Sequence, residues 1–138
     1  MKQIKQNRKK ILVVDDEPII GNICQEFLTD NGFSVEVAPN GDIAQSKLEK
    51  EEFDLCLLDV KMPVMDGAQL YRYIQHSNPA FVNKVIFMTG DVLSDNIAEF
   101  LIKANRPHLA KPFTLDDLKA IVNEVMTTPT VTSKSNLI

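Results

Sequence analysis

Asp59 stands directly after Leu55-Cys56-Leu57-Leu58, where a short apolar run gives way to Val60-Lys61-Met62-Pro63. Two other apolar runs and one short strand pattern end in the same manner. Ile11-Leu12-Val13-Val14 leads into Asp15, Asp16 and Glu17, Val85-Ile86-Phe87-Met88 into Thr89, and Pro107 to Ala110 into Lys111. Clustered carboxylates repel one another and offer hard oxygen ligands, a combination suited to a small divalent cation such as Mg2+. A cation and Lys111 placed around Asp59 would offset the charge of an incoming phosphoryl group. Thr89 can hydrogen-bond one of its oxygens, and Asp59 is then the nucleophile that forms an acyl phosphate. No G-x-x-x-x-G-K-[ST] loop and no G-x-G-x-x-G follows the first run, so a donor other than directly bound ATP is favoured. Strand ends are also polar simply because they meet water. That reading covers one or two of these residues, but not a set of acids facing a single lysine.

These residues share a site only if the chain brings the ends of its apolar runs together. Continuous apolar runs of this length are expected of strands covered on both faces. Between them lie helical patterns. Pro18 fits a first helical turn, followed by Ile19, Ile20, Ile23, Cys24, Phe27 and Leu28, and Asn31-Gly32 stops the helix. Phe33 to Ala38 alternates as a half-covered strand, and Pro39-Asn40-Gly41-Asp42 opens a helix bearing Ile43, Ala44 and Leu48. After Asp66-Gly67 a helix uses Leu70, Tyr73 and Ile74, reaching about Ser77. Lys84 to Thr89 reads as a strand, and Leu93, Ile97, Phe100, Leu101 and Ala104 as a fourth helix. Pro107 to Ala110 is a short fifth strand. Thr114 caps a last helix with Leu115, Leu118, Ile121, Val122 and Val125. Five strands alternating with five helices require a parallel α/β sheet with helices on both faces and right-handed crossovers. All strand C-termini then lie on one edge, where ligands bind.

The 138 residues fit one domain, with 44% hydrophobic and 25% charged content. The net charge of −4 conceals an uneven distribution, since Lys2, Lys5, Arg8, Lys9 and Lys10 crowd the first ten positions. The body is therefore more acidic than the total, which disfavours nucleic-acid binding. Residues 1–9 read as a basic leader, 10–127 as the folded domain, and 128–138 as a polar, disordered tail or the start of a linker. Cys24 and Cys56 lack C-x-x-C spacing and read as buried thiols. No apolar run approaches membrane-spanning length and no signal peptide is evident, so a cytoplasmic location is expected.

Leu12-Val13-Val14-Asp15-Asp16-Glu17-Pro18, Leu58-Asp59-Val60-Lys61-Met62-Pro63-Val64-Met65-Asp66-Gly67, Met88-Thr89-Gly90 and Lys111-Pro112-Phe113 occur in that order. Together they resemble the receiver domain of two-component response regulators, across about residues 10 to 127. The resemblance implies a doubly wound, flavodoxin-like five-stranded parallel sheet of order 2-1-3-4-5. It implies a phosphoryl group taken from a histidine kinase or histidine phosphotransfer protein, with Mg2+ as cofactor. By position, Asp59 resembles the phosphoacceptor and Asp16 a direct Mg2+ ligand. Asp15 resembles the acid that holds the metal through water, and Lys61 would offer its backbone carbonyl. Thr89 matches the switch hydroxyl and Lys111 the phosphate-binding lysine, whose bond to Pro112 is usually cis in the family.

One position departs from the family pattern. Three residues before the lysine the family usually has Tyr or Phe, and here stands His108, a second switch candidate. The stretch Phe100 to Phe113 looks more like receivers attached to sensor histidine kinases than those of transcription factors. The chain thus reads as a stand-alone receiver or a piece of a hybrid kinase. An output partner is expected on the face formed by the fourth helix, fifth strand and fifth helix. Two other readings are a pseudo-receiver that only docks partners and a hydrolase passing through an aspartyl phosphate. The complete Asp15, Asp16, Asp59, Thr89 and Lys111 set argues against the first. The second needs a positioned water base, which the sequence does not show.

Overall fold

The computed structural model describes residues 8–62, 65–90 and 94–127. The first seven residues of the basic leader, Pro63 and Val64, the expected helix start at Leu93, and the tail 128–138 lie outside the described residues. Strands β1 (Lys10–Val14), β2 (Ser34–Ala38), β3 (Leu55–Asp59), β4 (Val85–Thr89) and β5 (His108–Ala110) alternate with helices α1 (Pro18–Asp30), α2 (Gly41–Lys50), α3 (Gly67–Ser77), α4 (Asp95–Ala104) and α5 (Leu115–Thr127). All pairings are parallel and the order is 2-1-3-4-5. A 3-10 helix, Pro79–Lys84, was not foreseen. Proline cannot continue α3 but suits the first position of a new turn.

Alternation along the strands divides the core in two. Leu12, Val14, Cys56, Leu58, Val85 and Phe87 pack with Ala44 of α2, Leu70, Tyr71 and Ile74 of α3, and Leu101 of α4. Ile11, Val13, Leu55, Leu57, Ile86 and Met88 pack with Cys24 and Leu28 of α1 and Leu118, Val122 and Val125 of α5. On the outer strand β2, Val35 and Val37 join the second cluster, while Glu36 on the other face meets Lys47 of α2 at 2.9 Å. Tyr71, Phe87 and Phe100 meet edge to face, with centroids 4.9 to 6.1 Å apart. Both thiols are buried, and burial pushes Cys56 up to about 12.

Several expected core positions face water instead. Ile19, Ile23, Ile43 and Leu115 are exposed. A helix on one face of a sheet buries only a stripe, and on α1 that stripe runs through Gly21, Cys24 and Leu28. Local side-chain bonds fix the helix ends. The capping box at α3 pairs the Asp66 side chain with Gln69 N–H and the Gln69 side chain with Asp66 N–H, and Thr114 with Asp117 forms the same reciprocal pair at α5. Asn105 closes α4 in the left-handed region at φ 52°, which asparagine tolerates. Arg106 then donates from Nε to Val85 O at 3.1 Å and from Nη2 to Asn83 O at 2.7 Å, tying the approach of β5 to β4.

Gly67 matters most for the edge that carries the acids. Its N–H donates to Val60 O at 2.9 Å, and a β-carbon built there would lie 2.2 Å from Asp59 O. Only hydrogen fits, so α3 begins directly against the end of β3. Gly67→Ala should therefore cost about 3 kcal/mol in urea unfolding. A loss below about 0.5 kcal/mol would show that the β3–α3 connection moves aside freely.

Candidate functional site

Each site residue is carried to the same edge by backbone pairing. Asp15 follows β1, and its N–H donates to Ala38 O at 3.1 Å, one step beyond the β1–β2 register. Asp59 is the last residue of β3, paired with Met88 of β4, and Val60 N–H extends the ladder to Met88 O at 3.0 Å. Thr89 ends β4, and Lys111 N–H donates to Thr89 O at 2.8 Å. The Lys111–Pro112 peptide bond is cis. Asp15, Asp59 and Thr89 are 2%, 5% and 2% exposed, the buried polar residues among those described.

The Lys111 ammonium is the centre of the arrangement. Its Nζ lies 2.7 Å from Glu17 Oε1, 2.8 Å from Asp15 Oδ2 and 3.2 Å from Asp59 Oδ2. The contacts to Glu17 and Asp59 are aligned hydrogen bonds donated by the lysine. That to Asp15 is a charge contact off the hydrogen-bonding direction, which leaves Asp15 Oδ2 buried without a hydrogen bond. Asp15 Oδ1 accepts the Glu17 N–H at 2.9 Å, and Asp59 Oδ1 accepts the Lys61 N–H at 3.4 Å.

One ammonium among several acids leaves uncompensated negative charge. Burial and then the charge of Asp15 push the Asp59 carboxyl up to about 7, while Lys111 and the Lys61 N–H act in the opposite direction. For Lys111, burial pulls downward, but the nearby carboxylates of Asp15, Glu17 and Asp59 outweigh it and the net shift is upward. Cys24, on the buried stripe of α1, is raised to about 11 by burial and by Asp15.

Oxygens of Asp15, Glu17 and Asp59 lie within 4.8 Å of one another. Three hard carboxylate donors, one of them a buried oxygen lacking a hydrogen bond, fit a small divalent cation. Asp16 is exposed and lies outside this group, which takes in its neighbour Glu17. The run Asp15-Asp16-Glu17 held the signal for Glu17, but a run of acids does not reveal which of them turns inward. His108 on β5 is exposed, with the buried Leu109 between it and Ala110, so its side chain faces solvent.

Because the folded protein holds the Asp59 proton more tightly than an unfolded chain, this group contributes stability at low pH. The contribution is lost as pH rises from the ordinary value of 3.8 towards 7. Without divalent cations, Asp59→Asn should thus be more stable than wild type at pH 7.5, by about 2 kcal/mol or roughly 6–10 °C in Tm. The gain should close as pH falls to about 4. Thermal melts across that range check it, and a gain independent of pH would mean that Asp59 is not the strained acid.

A family model for the response regulator receiver domain matches residues 11–123. Transcription factor SKN7 of Saccharomyces cerevisiae is 36% identical over 115 residues, covering 81% of this chain and 18% of its own length. The chain therefore spans under a fifth of that relative. Among solved structures, a response regulator receiver domain protein from Methanospirillum hungatei aligns with a TM-score of 0.79 and 30% identity, over 87% of this chain and 94% of that one. TrrA from Thermotoga maritima, in complex with Mg2+-BeF, gives 0.73 and 31%, over 85% and 98%. Sheet order, the acids around Lys111 and these likenesses agree, and the chain belongs to the response regulator receiver domain family.

Proposed function

We propose that Asp59 is the phosphoacceptor of this receiver, taking a phosphoryl group from a histidine kinase or a histidine phosphotransfer protein in the cytoplasm. The observation that carries the reading is Lys111 Nζ placed 3.2 Å from Asp59 Oδ2 on a buried strand end that two further carboxylates approach. A carboxylate oxygen of Asp59 forms the new O–P bond as the donor's P–N bond breaks, its electron pair returning to the donor imidazole. Lys111 donates hydrogen bonds to the transferred oxygens, and the Thr89 hydroxyl, at the end of the neighbouring strand, donates to another.

Asp16 and Asp59 would hold Mg2+ directly, with Asp15 through a water and Lys61 through its backbone carbonyl. Bound there, the cation supplies positive charge that favours ionised Asp59 and offsets charge on the phosphoryl group. Residues 10–127 act as the receiver unit. The signal leaves through the α4–β5–α5 face, where Thr89 is the buried switch residue and His108 the exposed one. No described helix is long and apolar enough to cross a membrane.

Incubation with Mg2+ and acetyl phosphate should incorporate one phosphoryl group per chain in wild type and none in Asp59→Ala. Equal label in the variant would place the acceptor elsewhere. Calorimetric titration with Mg2+ alone addresses the ligand set. Asp16→Ala should weaken binding roughly 10-fold or more, and more than Asp15→Ala does. Unchanged affinity in Asp16→Ala would transfer the direct contact to the group of Asp15, Glu17 and Asp59.

A further inference from the structure

Glu17 is the member of the acid group without a role in the scheme above, and it makes the shortest contact to Lys111, at 2.7 Å. The three acids around the ammonium differ in freedom. The Asp15 side chain is fully buried, that of Asp59 is 7% exposed, and that of Glu17 is 59% exposed. The Glu17 backbone is itself fixed, since its N–H is held by Asp15 Oδ1 at 2.9 Å and its C=O accepts from Gly21 N–H at 3.1 Å. Only the side chain can move. An ammonium has three N–H donors, and here three carboxylates surround it, with 13% of the lysine side chain left exposed. Only Glu17 and Asp59 receive aligned hydrogen bonds from it. Asp15 is held by charge alone and Asp59 carries the group, so Glu17 is the acceptor that competes with a phosphoryl oxygen for an aligned N–H.

We propose that Glu17 is a latch on Lys111: its carboxylate occupies the lysine position that a phosphoryl oxygen needs, and swings into solvent when the group arrives. This rests on Asp59 being the acceptor. Glu17 is a positioning residue that acts through Lys111. It holds the lysine over Asp59 in the resting state and competes with the phosphoryl group for the same N–H. The latch therefore favours the unphosphorylated state and raises the donor concentration needed to fill the site.

The probe is beryllofluoride with Mg2+, which mimics the phosphoryl group without turnover, titrated by calorimetry. Glu17→Gln should bind it roughly 3–10-fold more tightly than wild type, since a neutral amide competes less well for an ammonium. Glu17→Asp keeps the charge but is one methylene shorter, and should also bind more tightly. In Lys111→Ala, adding Glu17→Gln should change nothing. An equal gain with Lys111 absent would reduce Glu17 to bulk repulsion at the site mouth and overturn the latch, as would unchanged affinity in Glu17→Gln. A readout free of ligand accompanies these. The Lys111 ammonium hydrogens should exchange with water faster in Glu17→Gln, and unchanged exchange would also overturn the proposal. The two readings fail differently: label on Asp59 with no Glu17 effect removes the latch alone, whereas no label on Asp59 in wild type removes the acceptor assignment as well.

Discussion

A single ammonium shared by three carboxylates at the end of a buried sheet is the constraint on which this molecule turns. Like charges brought together out of water repel, and Lys111 offsets only part of that repulsion between Asp15, Glu17 and Asp59. Removing both acids and lysine would make a more comfortable strand end. The strain is held because each charged group is delivered by a different strand or strand–helix junction, and those strands are fixed by the core rather than by the site. Leu57, Leu58, Ile86 and Phe87 are wholly buried directly beneath it.

The two-faced core explains the precision of the arrangement. Helices α2, α3 and α4 press on one side of the sheet and α1 and α5 on the other, so the strand ends have little room to retreat. Gly67 brings α3 against the Asp59 carbonyl and Arg106 ties the approach of β5 to β4. Charge cannot be relieved by moving backbone. It can be relieved by taking up a proton, by binding a cation, or by moving the one acid on a long and exposed side chain. The first accounts for the raised Asp59 and the last for the place given to Glu17.

Much of this was legible from the residues. Four-residue apolar runs ending in Asp15, Asp59 and Thr89 located the three central strands and the edge, because burial on both faces leaves little choice of residue. Pro18, Asp66-Gly67 and Thr114 marked helix starts through local chemistry that does not depend on the rest of the fold. Where the reading failed, the missing information was tertiary. Ile19, Ile23 and Ile43 fit a helical period, but which side of a helix meets the sheet depends on the crossover. That Glu17 reaches Lys111 turned on side-chain direction within one turn, where composition is silent. The 3-10 helix at Pro79 needed the geometry that follows α3.

The opposite edge of the sheet is built on the reverse principle. There Lys10 binds Glu51 and lies 5.3 Å over the Phe53 ring, its backbone N–H donates to Asp54 Oδ2 at 2.8 Å, and Lys47 reaches Glu36. At that end two lysines meet Glu36, Glu51 and Asp54, while at the other three carboxylates crowd around one lysine. Dissolved salt screens attraction and repulsion alike, so the two ends respond to ionic strength with opposite sign. Added electrolyte weakens the pairs around Lys10 and eases the crowding around Asp59. The molecule carries an internal electrical polarity along its strands, and its tolerance of brine is set by the balance between a closed end and a strained one.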